Sequence, residues 1–323
     1  MNILLVRSGI PFYYPKMEES IYKVFKKIVN KVEIADYADI IKTALKMKPD
    51  IIIVLQGLSE IITNQIVYLQ QIGFMTAIWL TDDPYYIDYT KKVVPFYNFI
   101  FTQDYGAIEI YKKLGCANTF YLPLAVDQSI FQPNKKSSSY KYEICFMGTA
   151  FDNRLDFIDK VSNYLAKKNT IIVGNNWDKL KNYSILKDKI KLLPIAVYED
   201  TANYYTEAKI NLNLHRSNTD TTFNSNSENI IAQSINNRTF EIAAHGAFQL
   251  TDFRPNLTDL YTPGADLDTF HSPEEFIQKA EFYLNNEYNR NKIAIKGLQH
   301  TLQHHTYEKR IPQLLNIIQQ SLH

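Results

Sequence analysis

Cysteine is nearly absent from this chain: Cys116 and Cys145 are the only two among 323 residues. Two thiols in apolar surroundings make no disulfide framework, so a reducing cytoplasm is the expected compartment. One-sided charge is missing as well. The 35 basic and 34 acidic side chains leave a net charge of +1, which removes any global attraction to nucleic acid or to an anionic membrane. No apolar run approaches the ~20 residues that cross a bilayer, so no transmembrane segment is expected. The opening stretch, residues 1–7, is interrupted too early to read as a secretory signal. Glycine is sparse, with 10 in the chain, and a glycine-rich phosphate fingerprint does not occur.

What remains is an ordinary globular balance of 46% hydrophobic and 21% charged residues, long enough for two domains of about 150 residues each. Apolar runs at 2–6, 50–55, 75–80, 98–102 and 118–122, with a shorter one at 32–35, read as buried strands. Apolar residues at helical spacing, such as Ile21, Val24, Phe25 and Ile28, predict helices over 18–30, 39–48, 59–72 and 104–114. Strands alternating with helices indicate a parallel α/β layer with right-handed crossovers. In such sheets ligands bind beyond the carboxyl ends of the strands. That rule singles out Ser8 and Gly9 after the first strand, and Asp82 and Asp83 after the strand at 75–80. The paired carboxylates suit a general base or acceptor-hydroxyl contacts. Capping of the turn before Pro84 accounts for one of them equally well.

An irregular passage with Pro123 and Pro133 leads into a lysine- and serine-rich stretch at 134–141, the candidate linker. The α/β pattern then restarts with a strand at 142–147, a turn at Gly148 and Thr149, and an amphipathic helix over 153–167. A strand–glycine–helix unit presents backbone N–H groups and a positive helix end to an anion, and Arg154 adds a fork of donors. Further strands are expected at 170–173, 189–193 and 210–214, with a helix over 197–208; Arg216 follows the strand at 210–214. Residues 217–234 are polar and aperiodic, as in a lid over a ligand or a disordered insertion. Next, Asn236 and Asn237 suit the cap of a helix bearing Phe240, Ile242, Ala243 and Ala244, with Gly246 at its end. Arg238 and Glu241, three apart, project from one side of its first turn. A guanidinium and a carboxylate there suit the phosphates and ribose of a nucleotide; an intrahelical ion pair is the plainer account. A short strand is expected at 247–250, then helices over 273–285, 287–300 and 307–322. His300 and His304 have helical spacing, but Thr301 stands where a metalloprotease motif needs glutamate. No metal is assigned.

The stretch 237–252 resembles the signature of CgeB-like, spore-maturation-type glycosyltransferases. Phe146-Met-Gly148 with Arg154, residues 208–216 and residues 305–310 resemble further parts of that family, and the passage at 122–133 is similar to the interdomain passage of retaining GT-B enzymes. The resemblance implies an α/β, GT-B architecture: two Rossmann-like parallel-sheet domains facing across a cleft. These are an acceptor domain at 1–133 and a nucleotide-sugar domain at 142–305, with a helix at 306–323 crossing back to the first. It implies transfer of a sugar from a nucleoside-diphosphate sugar, UDP-linked, to an acceptor that the sequence does not identify. No cofactor and no bound metal are implied, because helix dipoles and basic side chains neutralise the leaving diphosphate. Glu241 matches the carboxylate that holds the ribose, and Gly148 and Thr149 match the diphosphate turn. Arg154, Arg216, Asn237 and Arg238 are the other nucleotide-sugar candidates. Ser8 and Gly9 fall on the acceptor side, with Asp82 and Asp83 as catalytic candidates. Gln233 stands where retaining relatives often carry a second glutamate, which leaves the stereochemistry open. A nucleotide-sugar epimerase and a non-catalytic nucleotide-sugar-binding protein of the same fold are the alternatives.

Overall fold

Branched apolar residues dominate the strands of this protein, and they sort into two sheets. The computed structural model describes residues 1–11, 14–133, 140–193 and 198–321, with the backbone alone at 198–201. By contact the chain forms two units: Met1–Leu124, Asn224–Ser234 and the residues from Tyr307 in the first, Ala125–Phe223 and Ile235–Thr306 in the second. Most of the candidate linker, residues 134–139, lies outside the described residues.

The first unit runs β1 (Asn2–Val6), α1 (Tyr14–Ile28), β2 (Lys31–Ala35), α2 (Ile40–Met47), β3 (Ile51–Leu55), α3 (Glu60–Gln71), β4 (Thr76–Leu80), α4 (Ile87–Val93), β5 (Phe99–Thr102), α5 (Tyr105–Lys113) and β6 (Thr119–Tyr121). Its 6-stranded sheet has the order β2-β1-β3-β4-β5-β6, with every pairing parallel. Both faces of a parallel sheet are covered by helices, which is why Ile-Ile-Ile-Val-Leu in β3 and Thr-Ala-Ile-Trp-Leu in β4 are buried throughout. Ile62, Ile66 and Leu69 of α3 pack on the strand residues Ile52, Val54 and Ile78. Helix α1 begins earlier than the expected residue 18, with Pro15 in its first turn, where a missing N–H costs nothing. The polar stretch expected as a lid or insertion is divided, and its second part folds onto this unit. Asp104 accepts from the Gln233 and Ser234 amides at 3.0 and 2.9 Å. Asp88 accepts from the Ser227 amide and hydroxyl at 2.8 Å each, and Lys91 pairs with Glu228 at 2.6 Å.

The second unit contains β7 (Tyr142–Met147), α6 (Asp152–Ala166), β8 (Thr170–Gly174), α7 (Tyr183–Leu186), β9 (Ile190–Leu192), α8 (Tyr198–Thr206), β10 (Ala208–Asn213), α9 (Asn237–Ala244), β11 (Gln249–Asp252), α10 (Leu257–Leu260), β12 (Asp268–Phe270), α11 (Pro273–Asn285) and α12 (Glu287–His304). The order of its 6-stranded sheet is β12-β11-β10-β7-β8-β9. Strand order reverses at β7, so the crevice between the carboxyl ends of β7 and β10 is the switch point where such sheets take ligands. Ile144, Phe146, Leu212 and Leu250 of the strands pack with Ile158, Val161 and Leu165 of α6. Ser272 caps α11 by accepting from the Glu275 amide, with Pro273 next in line, as the Ser-Pro-Glu-Glu motif demands.

The closing helix α13 (Tyr307–Ser321) belongs to the first unit, where Tyr307 meets the edge of Trp79. In the second unit α12 extends past the expected residue 300 to His304. His300 and His305 both turn Nε2 to the Leu260 carbonyl, at 2.8 and 3.1 Å, so these rings tie α12 to α10. Among the described residues no His, Cys, Asp or Glu cluster has metal-binding form, and no helix is long and apolar enough to cross a membrane. Cys116 and Cys145 are free and buried.

Candidate functional site

Helix α9 starts at the carboxyl edge of the second sheet because Asn236 takes its cap, accepting from the Thr239 amide at 3.1 Å. Asn236 is itself held by Asn213 at the end of β10. Asn237, not needed for the cap, turns to Glu241 instead. Its side-chain amide donates to Glu241 Oε1 at 2.6 Å, and the Tyr205 hydroxyl reaches Oε2 at 3.5 Å. Glu241 is 7% exposed and is therefore oriented from both sides. Tyr205 also meets Arg238, and burial, with the Glu241 carboxylate adding to it, pushes its phenol well above the usual range.

Arg238 and Arg154 converge on the turn after β7. A side-chain carbon at Gly148 would stand 3.1 Å from Arg154 Nη1 and 3.1 Å from Arg238 Nη2, so only glycine leaves both guanidinium groups where they are. Gly148 also sits at φ 151°, and its carbonyl accepts from Trp177 Nε1 at 2.8 Å. Arg154 is more enclosed than the sequence suggested. At 4% exposure it donates through Nε to Leu214 O and through Nη1 to Thr149 O, both at 2.9 Å. It thus clamps the ends of β10 and β7 together across the switch point. The guanidinium groups of Arg154 and Arg216 both lie against the Phe151 ring, at 4.8 and 4.6 Å from its centre. An aromatic face accepts cations this way, and Phe151 carried no signal in the sequence.

Beside Arg216, His215 is buried at 1% exposure and bonds to Asp252 Oδ1 through Nδ1, at 2.6 Å. Burial pushes the His215 imidazole below its ordinary range, against the pull of Asp252. Burial opposes the charge on Asp252 too, but His215 and Arg254 outweigh it and hold that carboxyl low. The neutral ring therefore carries its hydrogen on Nδ1, and among the described residues Nε2, which is buried, has no hydrogen-bond partner. Strand periodicity could place His215 and Asp252 at neighbouring strand ends, but not their contact.

The start of α6 differs from expectation. Asp220, 1% exposed, accepts from the Asp152 amide at 3.0 Å and from the amides of Thr222 and Phe223 at 3.1 and 2.9 Å. An internal carboxylate thus takes part of the positive helix end that the sequence offered to phosphate.

The first-unit candidates do not form a comparable group. Ser8 donates from both amide and hydroxyl to Glu18, at 2.7 Å each, so it anchors α1. Gly9 is exposed at φ 76°. Asp83 departs furthest from its expected catalytic role. It is wholly buried, and its oxygens accept from Thr102 at 2.7 Å, Thr90 at 3.3 Å and the Tyr111 hydroxyl at 2.8 and 2.9 Å. Burial pushes its carboxyl up to about 7, with the hydroxyl donors resisting. Asp82 is half-buried and accepts from the Tyr14 hydroxyl, which also pairs with Thr81 at 2.7 Å.

A doubly wound second unit with basic side chains and an oriented carboxylate at its switch point presents donors for an anion and an acceptor for hydroxyls where such sheets take ligands. The family described as glycosyl transferase-like matches residues 153–316, and the chain belongs to that family. It is 27% identical over 326 residues to the spore protein CgeB of Bacillus subtilis (strain 168), with both chains covered in full. Sucrose-phosphate synthase from Thermosynechococcus elongatus superposes with a TM-score of 0.70 at 10% identity, over 100% of this chain and 99% of that one. HepE of Anabaena, in complex with UDP, gives 0.65 at 11% identity, over 98% and 100%. The chain is a CgeB-like glycosyltransferase with the GT-B fold, built from two Rossmann-like parallel-sheet units.

Proposed function

We propose that the protein transfers a sugar from a UDP-linked donor to an acceptor, and that the carboxyl edge of the second sheet holds the donor. One observation carries this reading: Glu241, fixed by Asn237 and Tyr205, lies one helical turn from Arg238, which borders the Gly148 turn. A buried, oriented carboxylate accepts from the two ribose hydroxyls, and the guanidinium beside the glycine turn takes the diphosphate. The UDP held by HepE, a protein of the same fold, supports the choice of base.

In this reading Arg238 and Arg216 stabilise the charge that develops on the diphosphate as the sugar–oxygen bond breaks. Arg154 is a positioning residue that keeps the turn at Gly148 and Thr149 in place, and Phe151 holds Arg154 and Arg216 side by side. The His215 Nε2 lone pair is available to a donor hydroxyl. No metal is invoked, because the guanidinium groups supply the neutralising charge. On the acceptor side we retain Asp82, with Ser8 and Gly9 framing the loop after β1.

Calorimetry with UDP, GDP and dTDP tests the reading directly. UDP is expected to bind the wild type, and Glu241→Gln to weaken it by about 10- to 150-fold, the equivalent of ~1.5–3 kcal/mol for a hydrogen bond to a charged group. Absence of binding by all three nucleotides, or an unchanged affinity in Glu241→Gln, overturns it. Conversion of one UDP-sugar into another without an acceptor would instead favour an epimerase.

A further inference from the structure

The far end of α9 leads to a second polar feature, at the amino ends of the same strands. Tyr140 precedes β7, Lys209 lies near the start of β10, and Ala247 and Phe248 lead into β11; all four line a cavity of about 120 Å³ together with His245 and Arg290. The basic groups Lys209, His245 and Arg290 border this space, and among the described residues no Asp or Glu does.

Arg290 is the anomaly. It is 2% exposed, and its contacts are Nη1 to the Tyr283 carbonyl at 2.5 Å and the face of Tyr140 at 5.5 Å. Its Nε is buried with no hydrogen-bond partner, and no carboxylate pairs with it among the described residues. A guanidinium cannot shed its charge, and an uncompensated buried ion costs several kcal/mol. The carbonyl end of α11, where Tyr283 lies, offers roughly half an elementary charge in return. A substantial positive charge is left over.

His245 adds an unsatisfied polar atom rather than charge. Its Nδ1 faces the Gln132 carbonyl at 2.8 Å, and its Nε2 is likewise buried with no hydrogen-bond partner among the described residues. Burial keeps this ring neutral, pushing its titration below the ordinary histidine range against the pull of the Gln132 carbonyl. Lys209 is half-buried and has no acidic partner among the described residues. Gly246, at φ 63°, brings the chain round between His245 and the strand; a side-chain carbon there would stand 3.4 Å from Leu298.

We propose that this cavity binds a small anion, its carboxylate or phosphate oxygens held by Arg290 and Lys209 and any short apolar body packed on Phe248 and Leu298. The volume admits a phosphate or a carboxylate of a few carbons, not a nucleotide. The site is separate from the donor site, since it lies at the opposite edge of the sheet and shares with it only Tyr205.

Thermal unfolding of the full chain in sodium butyrate, sodium phosphate and sodium chloride at equal ionic strength tests this. Butyrate or phosphate is expected to raise the midpoint above chloride by about 2–4 °C, and the responding salt assigns the head group. The rise should vanish in Arg290→Gln and in Lys209→Gln but persist in Arg216→Ala, which separates it from phosphate held at the donor site. Arg290→Gln also loses a bond to Tyr283, so if it fails to fold, the half-buried Lys209→Gln decides alone. Equal midpoints in the three salts, or a rise that survives Lys209→Gln, overturn the proposal.

Discussion

The carboxyl edges of the two sheets are built from opposite chemistry. After the strands of the first unit stand Ser8, Asp82 and Asp83, and hydroxyl or carboxylate partners from the same unit absorb them: Glu18 for Ser8, Tyr14 for Asp82, and Thr90, Thr102 and Tyr111 for Asp83. After the strands of the second unit stand Gly148, His215 and Arg216, surrounded by guanidinium groups, an aromatic face and a carboxylate with two neighbours to aim it. A polar residue at a strand end is thus a candidate only until its own bonds are counted. Asp83 satisfies the positional rule for a catalytic carboxylate and is nonetheless part of the interior.

The strongest challenge to that contrast lies at Asp83 itself. Asp83→Ala removes a shared acceptor of the buried Thr90, Thr102 and Tyr111 hydroxyls, and each bond lost costs ~1–1.5 kcal/mol net. The expected loss of stability is therefore about 3–5 kcal/mol, read from the urea midpoint, with UDP affinity of the folded fraction unchanged. A variant as stable as wild type that has lost transfer activity would return Asp83 to catalysis. Asp83→Asn adds a pH signature. The folded carboxyl titrates at about 7 against an ordinary value of 3.8, so the folded state holds the extra proton. Its contribution is full below about pH 4 and declines as pH rises to about 7. The wild type should lose stability relative to Asp83→Asn across that window.

A more modest change probes the other edge. Gly148→Ala places a carbon 3.1 Å from the guanidinium groups of Arg154 and Arg238, in a backbone conformation that costs a non-glycine residue ~1–3 kcal/mol. Arg154 is pinned by two carbonyls, so Arg238 must yield. UDP affinity is expected to fall about 10-fold, one charge-assisted contact's worth, with stability lowered by ~1–3 kcal/mol. Calorimetry and denaturant unfolding separate the two. An unchanged affinity would mean that Arg238 does not serve the diphosphate.

Much of this architecture was legible because buried parallel strands leave continuous apolar runs, as at Ile51–Leu55 and Thr76–Leu80. The cap at Asn236 and the helix start at Ser272 were legible because capping needs particular side chains at fixed spacing. Strand β12 was not, since Asp268–Phe270 is too short to show a period. Nor was the placement of residues 224–234 in the first unit, which rests on Asp88 and Asp104, carboxylates far away in the chain. In the candidate site helical spacing put Glu241 and Arg238 on one side of α9, where an ion pair was the plainer account, and the family resemblance singled out Glu241. Phe151, Tyr205 and Asp252 carried no such signal, because each acts through a contact made only by folding. Gly246 read as a helix end, and with His245 it is one; the place of both in a cavity with Arg290 depends on α12, which no local pattern connects to them.

The mildest of these substitutions asks whether the second unit's edge is tuned as well as assembled. In Asp252→Asn the side-chain oxygen still accepts from His215 Nδ1, so the ring keeps its orientation and only the charge is lost. Around neutral pH the cost should be about 1 kcal/mol, the difference between a charged and a neutral acceptor. Below that it should grow. The folded His215 already titrates lower than its ordinary value of 6.5, with Asp252 opposing the shift. Its stability contribution is thus full above about 6.5 and is lost as pH falls through that value. Without Asp252 the folded ring becomes harder still to protonate, so the variant goes on losing stability below the pH at which wild-type His215 has taken up its proton. The gap between variant and wild type should therefore widen as pH falls below the wild type's folded His215 value, itself under 6.5, measured as unfolding midpoints in parallel. A gap that stays constant over that range would mean the carboxylate aligns His215 without setting its charge, leaving orientation as its whole contribution.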